Sequence, residues 1–114
     1  MSIGVDIEDI SRFEGKSDAF LNRIFTPLEL EYCRKFSNPQ SRLAARFCAK
    51  EATIKALSAL GINFAEYNLI EIFHNENNVP QIRILKEINK SISFELSISH
   101  DKTKAIAFVT AKLN

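Results

Sequence analysis

The sequence has no tryptophan, only two cysteines, and three residues each of glycine and proline among its 114 positions. Cys33 and Cys48 stand far apart, with no CxxC pair and no His-x-x-x-His spacing beside them, which argues against a zinc site. We expect two buried thiols in a reducing cytosol. Since no Gly- or Pro-rich linker divides the chain, its length predicts a single domain over residues 1–114.

The chain also has almost no net charge, because 15 basic residues face 14 acidic ones and leave +1. This balance argues against a protein that coats nucleic acid through bulk charge. No apolar run approaches the roughly 18 residues that span a bilayer. Acids interrupt the first ten residues, MSIGVDIEDI, so we expect no signal peptide there. We therefore expect a cytoplasmic protein that binds neither nucleic acid nor membrane.

What the sequence does have is a succession of periodic segments. Residues 2–8 alternate between apolar and small or acidic side chains, the period of a half-buried strand. Ser17 is a plausible N-cap for a short helix over residues 17–25, and Thr26 with Pro27 predicts the start of a second helix. Apolar residues recur at spacings of three and four over residues 41–60, which predicts one long helix that ends at Gly61.

Four further strands are predicted at residues 68–73, 80–85, 93–99 and 105–109, with polar turns between them. The last two are expected to form an antiparallel hairpin. This order of elements predicts an α+β fold in which an antiparallel sheet packs on one long helix. A domain of this size has a modest core despite its nine phenylalanines, so self-association would bury more apolar surface.

Two acidic residues interrupt apolar patterns. Glu51 lies four residues after Phe47 and three before Ile54, inside the predicted apolar stripe, where an unpaired carboxylate is costly. Periodicity alone favours a simple Glu51–Lys55 pair at the edge of the stripe, and an exposed acid on an edge strand for Asp6. The alternative is that Asp6 and Glu51 hold magnesium, which prefers one or two carboxylates with water and substrate phosphates. Lys55 would then bind phosphate.

The segment SISHD at residues 97–101 is a third feature. A serine nucleophile with His100 as its base is conceivable, but the segment lacks the G-x-S-x-G turn that presents the nucleophile of an esterase. A histidine at the end of a strand is more often structural. The segment alone therefore identifies no reaction.

Basic residues form two groups. One group lies among phenylalanines near the N-terminus: Arg12, Lys16 and Arg23 with Phe13, Phe20 and Phe25. The other recurs every four residues on the long helix, away from its predicted apolar stripe: Arg42, Arg46 and Lys50. Solvated helix faces are the simplest explanation of both groups. Recognition of an acidic partner or of phosphate is the alternative.

Taken together, these segments resemble the holo-acyl-carrier-protein synthase family of phosphopantetheinyl transferases. Three segments carry the resemblance in the family's order: IGVDIEDISRF at residues 3–13, RLAARFCAKEATIKAL at residues 42–57, and SISHDKTKAIAFV at residues 97–109. FTPLELEYC at residues 25–33 also looks like the family. Where the family commonly has a Gly-x-Pro turn, this chain has Asn78 in place of the glycine, and asparagine tolerates left-handed backbone geometry.

The resemblance implies a 4′-phosphopantetheinyl transferase fold and an enzyme of fatty acid biosynthesis. Such an enzyme moves phosphopantetheine from coenzyme A to a serine of apo acyl carrier protein and releases adenosine 3′,5′-bisphosphate. It also implies a homotrimer with active sites between subunits. Magnesium would be held by Asp6 and Glu51, which with Lys55 are the expected catalytic residues. The expected ligands of coenzyme A are Arg46, Lys50, Lys55, Ser99 and His100. The expected contacts of the carrier protein are Arg12, Phe13, Arg23 and Phe25.

Two other functions remain open. One is a different metal-dependent phosphoryl-transfer enzyme that acts on another nucleotide. The other is a non-catalytic module that binds protein or RNA through the basic and aromatic N-terminal face. Magnesium-dependent binding of coenzyme A distinguishes the transferase from both, and alanine at Asp6 or Glu51 would leave the function of a binding module intact.

Overall fold

The computed structural model describes residues 1–114, which form five strands, three α-helices and two 3₁₀ turns. The strands are β1 (Ser2–Asp9), β2 (Ile70–His74), β3 (Pro80–Ile84), β4 (Ile92–His100) and β5 (Lys104–Leu113). The helices are α1 (Asp18–Ile24), α2 (Pro27–Cys33) and α3 (Pro39–Ala59), and the 3₁₀ turns cover Ile10–Phe13 and Tyr67–Leu69. The predicted α+β class is confirmed, and α3 and β5 are both longer than predicted.

The two short helices begin where their capping residues predicted. The side chain of Ser17 accepts a hydrogen bond from the Phe20 amide at 3.2 Å. Thr26 and Glu29 form a capping box, in which each side chain accepts from the backbone amide of the other. Pro27 occupies the first turn of α2, where its missing amide hydrogen costs nothing. These local signals fix the path of the chain into α3.

The strands form two antiparallel groups. One sheet has the order β1-β5-β4, and β2 pairs with β3 as a separate hairpin. In the first sheet Asp6 lies opposite Ala107, and Ala107 lies opposite Ile98. The hairpin turn contains Asn78 at φ 60°, so the asparagine adopts the left-handed geometry expected at this position. The hairpin of β4 and β5 is also confirmed.

Helix α3 packs on β1 and β5 through small residues. Five alanines of the helix are fully or almost fully buried, as are the inward residues of β5: Ala44, Ala45, Ala49, Ala52 and Ala56 with Ala105, Ala107, Val109 and Ala111. A Cβ added at Gly4 would clash with the Ala52 carbonyl and lie 2.9 Å from the Ala56 amide nitrogen. Only glycine fits there, so β1 runs directly against the helix backbone.

The alternation of β1 has the predicted period, but its apolar row faces outward. Ile3, Val5 and Ile7 are 60%, 49% and 60% exposed, whereas the intervening residues turn toward α3. Val5 pairs with Phe108 and Ile7 with Ile106, and both β5 residues are also exposed. We call these five residues, Ile3, Val5, Ile7, Ile106 and Phe108, the outer sheet face. Because the helix must approach closely, the small and acidic row of β1 takes the inner side.

No helix of the protein combines the length and the apolar character that crossing a membrane requires.

Candidate active site

Asp6 lies on the inner row of β1, beside the C-terminal half of α3. Lys55 Nζ donates to the Val5 carbonyl oxygen at 2.9 Å and to Asp6 Oδ1 at 3.3 Å. The second carboxylate oxygen, Oδ2, is buried and has no hydrogen-bond partner. A buried carboxylate oxygen without a partner is costly, so this atom points to a ligand that the protein chain does not supply.

Glu51 lies on α3 one turn before Lys55, the partner of Asp6, and it accepts a hydrogen bond from a residue that the sequence analysis missed. The Tyr67 hydroxyl donates to Glu51 Oε1 at 2.5 Å, and this bond, with burial, raises the pKa of Tyr67 to about 12. The tyrosine ring packs against Phe47 with centroids 5.2 Å apart. The simple Glu51–Lys55 pair favoured by periodicity is wrong, because Lys55 pairs with Asp6 instead.

Glu8 is a third carboxylate on this side of the molecule that the sequence analysis missed. It accepts a hydrogen bond from Arg12 at 2.7 Å, and the Arg12 guanidinium lies 4.8 Å from the centroid of the Phe47 ring. Burial, followed by the neighbouring Asp6 carboxylate, raises the pKa of Glu8. The strand period was the signal that could have found it, since a residue two positions after Asp6 shares its side of the strand. We call Asp6, Glu8 and Glu51 the acidic site.

Lys50 is not on an exposed face of α3, and the prediction that it lies there is wrong. Its side chain has 0% exposure, and Nζ forms an ion pair with buried Glu29 at 2.7 Å. Nζ also donates to the Tyr67 carbonyl oxygen at 2.8 Å and to the Ile70 carbonyl oxygen. Burial lowers the pKa of Lys50, while the Glu29 carboxylate opposes that shift. Lys50 therefore holds the fold together and has no surface to offer coenzyme A.

Arg46 is also buried, but its side chain lines a cavity that His100 lines as well. The cavity has a volume of about 230 Å³ and also contains Arg42, Tyr32 and His74. Arg46 lies 4.0 Å above the Tyr32 ring and 3.1 Å from His74 Nδ1, and its Nε atom has no partner. Burial and then the Arg46 charge lower the pKa of His74. We call this the arginine cavity.

The structure brings together only part of the predicted set of coenzyme A ligands. Arg46 and His100 share the arginine cavity, and Lys55 lies at the acidic site. Ser99 pairs with Ile106 in the sheet register, so it shares the outward side of the sheet and points away from His100.

The acidic site and the arginine cavity lie on opposite sides of α3. Arg46 and Lys55 are nine residues apart, which at about 100° per residue places them half a turn from each other. The sheet register agrees, because Glu8 and His100 both lie opposite Ala105 from the two edge strands β1 and β4. Helix α3 covers the sheet between them. One protomer therefore offers an acidic site and a basic cavity that are not contiguous.

Two of the four residues predicted to contact a carrier protein are core residues. Phe13 and Phe25 are buried, with ring centroids 5.9 Å apart, so neither has an exposed surface to offer a partner. Arg12 and Arg23 are exposed, as predicted. Arg12 is already paired with Glu8, whereas Arg23 forms no ion pair and stands in the last turn of α1. The partly exposed aromatic ring near them is Phe20, under Lys16.

Comparison with known proteins identifies the family of this chain and the solved structures that share its fold. The sequence model of the 4′-phosphopantetheinyl transferase superfamily matches residues 2–109. A holo-[acyl-carrier-protein] synthase of Cytophaga hutchinsonii is 39% identical over 124 residues, which cover 98% of this chain and 97% of the relative.

Two solved structures superpose over nearly the whole chain. Helicobacter pylori holo-[acyl-carrier-protein] synthase in complex with coenzyme A has a TM-score of 0.80 at 33% identity, covering 96% of this chain and 99% of that one. A Chronobacterium ammoniagenes ACPS–CoA complex has a TM-score of 0.85 and covers 99% and 97% of the two chains. At 24% identity that second likeness concerns the fold alone.

Proposed function

The chain belongs to the 4′-phosphopantetheinyl transferase superfamily, and we infer that it transfers phosphopantetheine from coenzyme A to a serine of apo acyl carrier protein, using the acidic site and Lys55. The serine oxygen forms a bond to the phosphorus atom that bears the pantetheine arm. The bond between that phosphorus and the bridging oxygen of the pyrophosphate breaks. Adenosine 3′,5′-bisphosphate leaves with the bridging oxygen, and the serine proton passes to a base. The near full-length relationship to holo-[acyl-carrier-protein] synthases is the observation that carries this function. We also infer that residues 1–114 form one such domain.

The acidic site fits a magnesium ion held by Asp6 and Glu51. The supporting observation is Asp6 Oδ2, which is buried and has no partner in the protein. No group of three or more His, Cys, Asp or Glu side chains is placed to hold a metal by protein ligands alone. Magnesium suits such a site, because it keeps several waters and binds substrate phosphates besides one or two carboxylates. When bound, the ion offsets negative charge on the pyrophosphate.

Lys55 supports the same reaction from the other side of Asp6. Its ammonium group is half-exposed and lies 3.3 Å from Asp6 Oδ1. In this place it orients the Asp6 carboxylate and offers its one remaining hydrogen to a phosphate oxygen of the substrate. An ammonium group has three donors and no acceptor, so it can serve a carboxylate and a phosphate at the same time.

Coenzyme A is proposed to bridge two subunits. Its pyrophosphate belongs at the acidic site, whereas the additional phosphate of its adenosine half suits the arginine cavity with Arg42, Arg46 and His100. Within one protomer α3 lies between the two places. A bound molecule therefore takes the acidic site from one subunit and the arginine cavity from its neighbour.

The outer sheet face supports assembly into a homotrimer. Its five apolar side chains form a contiguous exposed patch on β1 and β5, and a patch of this kind marks an interaction surface in a small soluble protein. Burying it between copies of the chain would also supply apolar area that a domain of 114 residues lacks internally. The number of three subunits comes from the family resemblance.

The carrier protein is proposed to bind at Arg12 and Arg23, beside Phe20. Acyl carrier proteins are acidic, and both arginines are exposed on the N-terminal side of the molecule. Because Arg12 is paired with Glu8, an acidic partner has to compete with that carboxylate, whereas Arg23 is free to bind. We expect Arg23→Glu and Arg12→Met to raise the apparent KM for the carrier and to leave that for coenzyme A unchanged. The reverse pattern would mean that the two surfaces are assigned the wrong way round.

Mass spectrometry of apo carrier protein tests the proposed function directly. The carrier is incubated with this protein, coenzyme A and magnesium, and we expect a mass gain of one phosphopantetheine. Omission of magnesium is expected to prevent the gain. Mixing inactive Asp6→Ala subunits with inactive Arg46→Ala subunits is expected to restore activity if each site draws on two subunits. No gain with the wild-type protein would contradict the transferase assignment.

A further inference from the structure

Tyr67 is held by two consecutive residues of α3. Lys50 Nζ donates to the Tyr67 carbonyl oxygen at 2.8 Å, and the Tyr67 hydroxyl donates to Glu51 Oε1 at 2.5 Å. The tyrosine ring packs on Phe47 from the same helix, with centroids 5.2 Å apart. The helix therefore fixes the backbone, the ring and the hydroxyl of Tyr67, although only its hydroxyl reaches the acidic site.

We propose that Tyr67 is a positioning residue for Glu51, which holds the carboxylate in the orientation that binds the metal ion. The phenol occupies Oε1, and Oε2 carries no hydrogen bond from the protein. Oε2 is therefore the Glu51 oxygen most available to a cation, which Asp6 would help to hold through its unpartnered Oδ2. The proposal rests on the proposed function, and it assigns Tyr67 a role through Glu51 and not through contact with substrate.

Two opposing effects decide whether the hydrogen bond from Tyr67 strengthens or weakens the binding of a metal ion by Glu51. A hydrogen bond to a carboxylate draws electron density from it and makes it a weaker ligand. The same bond removes the rotational freedom of a half-exposed glutamate, so less entropy is lost when the metal binds. Partners that orient metal ligands usually contribute about 10- to 100-fold to metal affinity. Orientation therefore outweighs the loss of electron density, and Tyr67 strengthens metal binding.

The buried lysine makes this positioning rigid. Lys50 is fully buried and is tied to Glu29 of α2, so the Tyr67 carbonyl is bonded to a group that cannot move without breaking an ion pair. Lys50 and Glu51 are adjacent in sequence. Lys50 binds the backbone carbonyl of Tyr67, and Glu51 binds its hydroxyl. The adjacent residues Lys50 and Glu51 thus join the core of the fold to the acidic site.

Manganese binding tests the proposal apart from activity. The free Mn²⁺ signal in electron paramagnetic resonance is titrated with the protein in the presence of coenzyme A and without carrier. We expect Tyr67→Phe, which keeps the ring and removes only the hydroxyl, to bind Mn²⁺ about tenfold more weakly. Asn68→Ala is the matched control, because Asn68 is exposed on the same 3₁₀ turn and forms no side-chain hydrogen bond. It is expected to bind as the wild type does.

A second measurement separates positioning from a purely structural role. In Tyr67→Phe the magnesium concentration that gives half-maximal transfer is expected to rise about tenfold, while the rate at saturating magnesium recovers. A lowered melting temperature with unchanged Mn²⁺ affinity would overturn the proposal, as would equal or tighter Mn²⁺ binding. If the wild-type protein binds no Mn²⁺, the metal site of the proposed function fails together with this inference. If only the Tyr67→Phe difference is absent, the inference fails alone.

Discussion

The buried ion pair of Lys50 and Glu29 provides the sharpest test of which cations on α3 are structural. Lys50→Met keeps a long unbranched side chain but removes the ammonium group. The substitution leaves the buried Glu29 carboxylate without its charge partner. It also leaves the Tyr67 and Ile70 carbonyl oxygens without the ammonium donor. Breaking a buried pair typically costs about 3–5 kcal/mol. Because Glu29 keeps hydrogen bonds from the Thr26 and Ile72 amides, each at 2.8 Å, we expect a loss near the lower limit, about 3 kcal/mol.

Urea denaturation measures this loss, at one fixed protein concentration because the proposed assembly would make apparent stability depend on concentration. In a thermal scan, 3 kcal/mol corresponds to a fall in Tm of roughly 10–20 °C for a domain of this size. Lys55→Met is the matched control, because it removes the same charge from a lysine whose side chain is half-exposed, whereas that of Lys50 is fully buried. We expect it to abolish transfer and to cost less than Lys50→Met, about 1–2 kcal/mol, because the lysine is half-exposed although the mostly buried Asp6 carboxylate loses its donor.

The opposite pattern would refute the structural assignment of Lys50. If Lys50→Met keeps the stability of the wild type while the KM for coenzyme A rises, the side chain reaches substrate and the buried pair does not contribute as described. If Lys55→Met is as destabilising as Lys50→Met, exposure does not distinguish the two lysines.

Three further outcomes follow from the site and the surface. Asp6→Ala and Glu51→Ala are each expected to abolish transfer, as measured by mass spectrometry of the carrier, while circular dichroism still shows a folded protein; normal rates in either variant would refute the metal assignment. Phe108→Asp is expected to yield monomers by light scattering, because assembly would bury an unpaired charge on the outer sheet face; a trimer at the wild-type concentration would contradict this. The pKa of His74 is lowered from 6.5 by burial and by Arg46. As the pH falls below about 6.5, the unfolded chain therefore binds more protons than the folded protein does. The free energy of unfolding is expected to decrease until the pH is below the pKa of His74 in the folded protein. His74→Gln should remove this part of the pH dependence, and an unaltered profile would count against it.

The parts of the fold that local chemistry determines could be predicted from the sequence. Ser17 and Thr26 cap their helices through bonds that span three residues, so the sequence alone contains both partners. The left-handed turn at Asn78 is equally local. The hairpin of β4 and β5 is a contact between neighbouring segments, and alternation predicted it.

The burial of the cations on α3 could not be predicted, because this helix is covered on two sides. The sheet packs on its small residues, and α2, β2 and the 3₁₀ turn at Ile10–Phe13 also pack against the helix. A helix between two layers has no single apolar stripe, so the pattern places Arg46 and Lys50 away from the core although both are buried. The partner of Lys50, Glu29, lies on another helix, and the pattern of α3 contains no sign of it.

The period of a strand likewise does not say which of its sides is buried. In β1 the usual assignment of apolar residues to the core fails, because Gly4 marks a close approach that only small side chains allow. The same approach turns Asp6 and Glu8 toward α3. The family motifs predict Asp6 and Glu51 as site residues, whereas Tyr67 has no motif and contacts Glu51 only through the fold, from a distant segment.

The outward apolar row of β1 has a consequence for synthesis and refolding. Strand β1 pairs with β5 on one side only, and the row Ile3, Val5 and Ile7 is uncharged and β-branched. Such an edge is a template for pairing with other chains. Ser2 and its partner Ala111 are 109 residues apart, so a growing chain carries β1 unpaired until nearly all of these residues have been made. Refolding would therefore divide the chains between the proposed trimer and aggregates. Both reactions depend on concentration, so we expect the highest yield of active protein at an intermediate concentration.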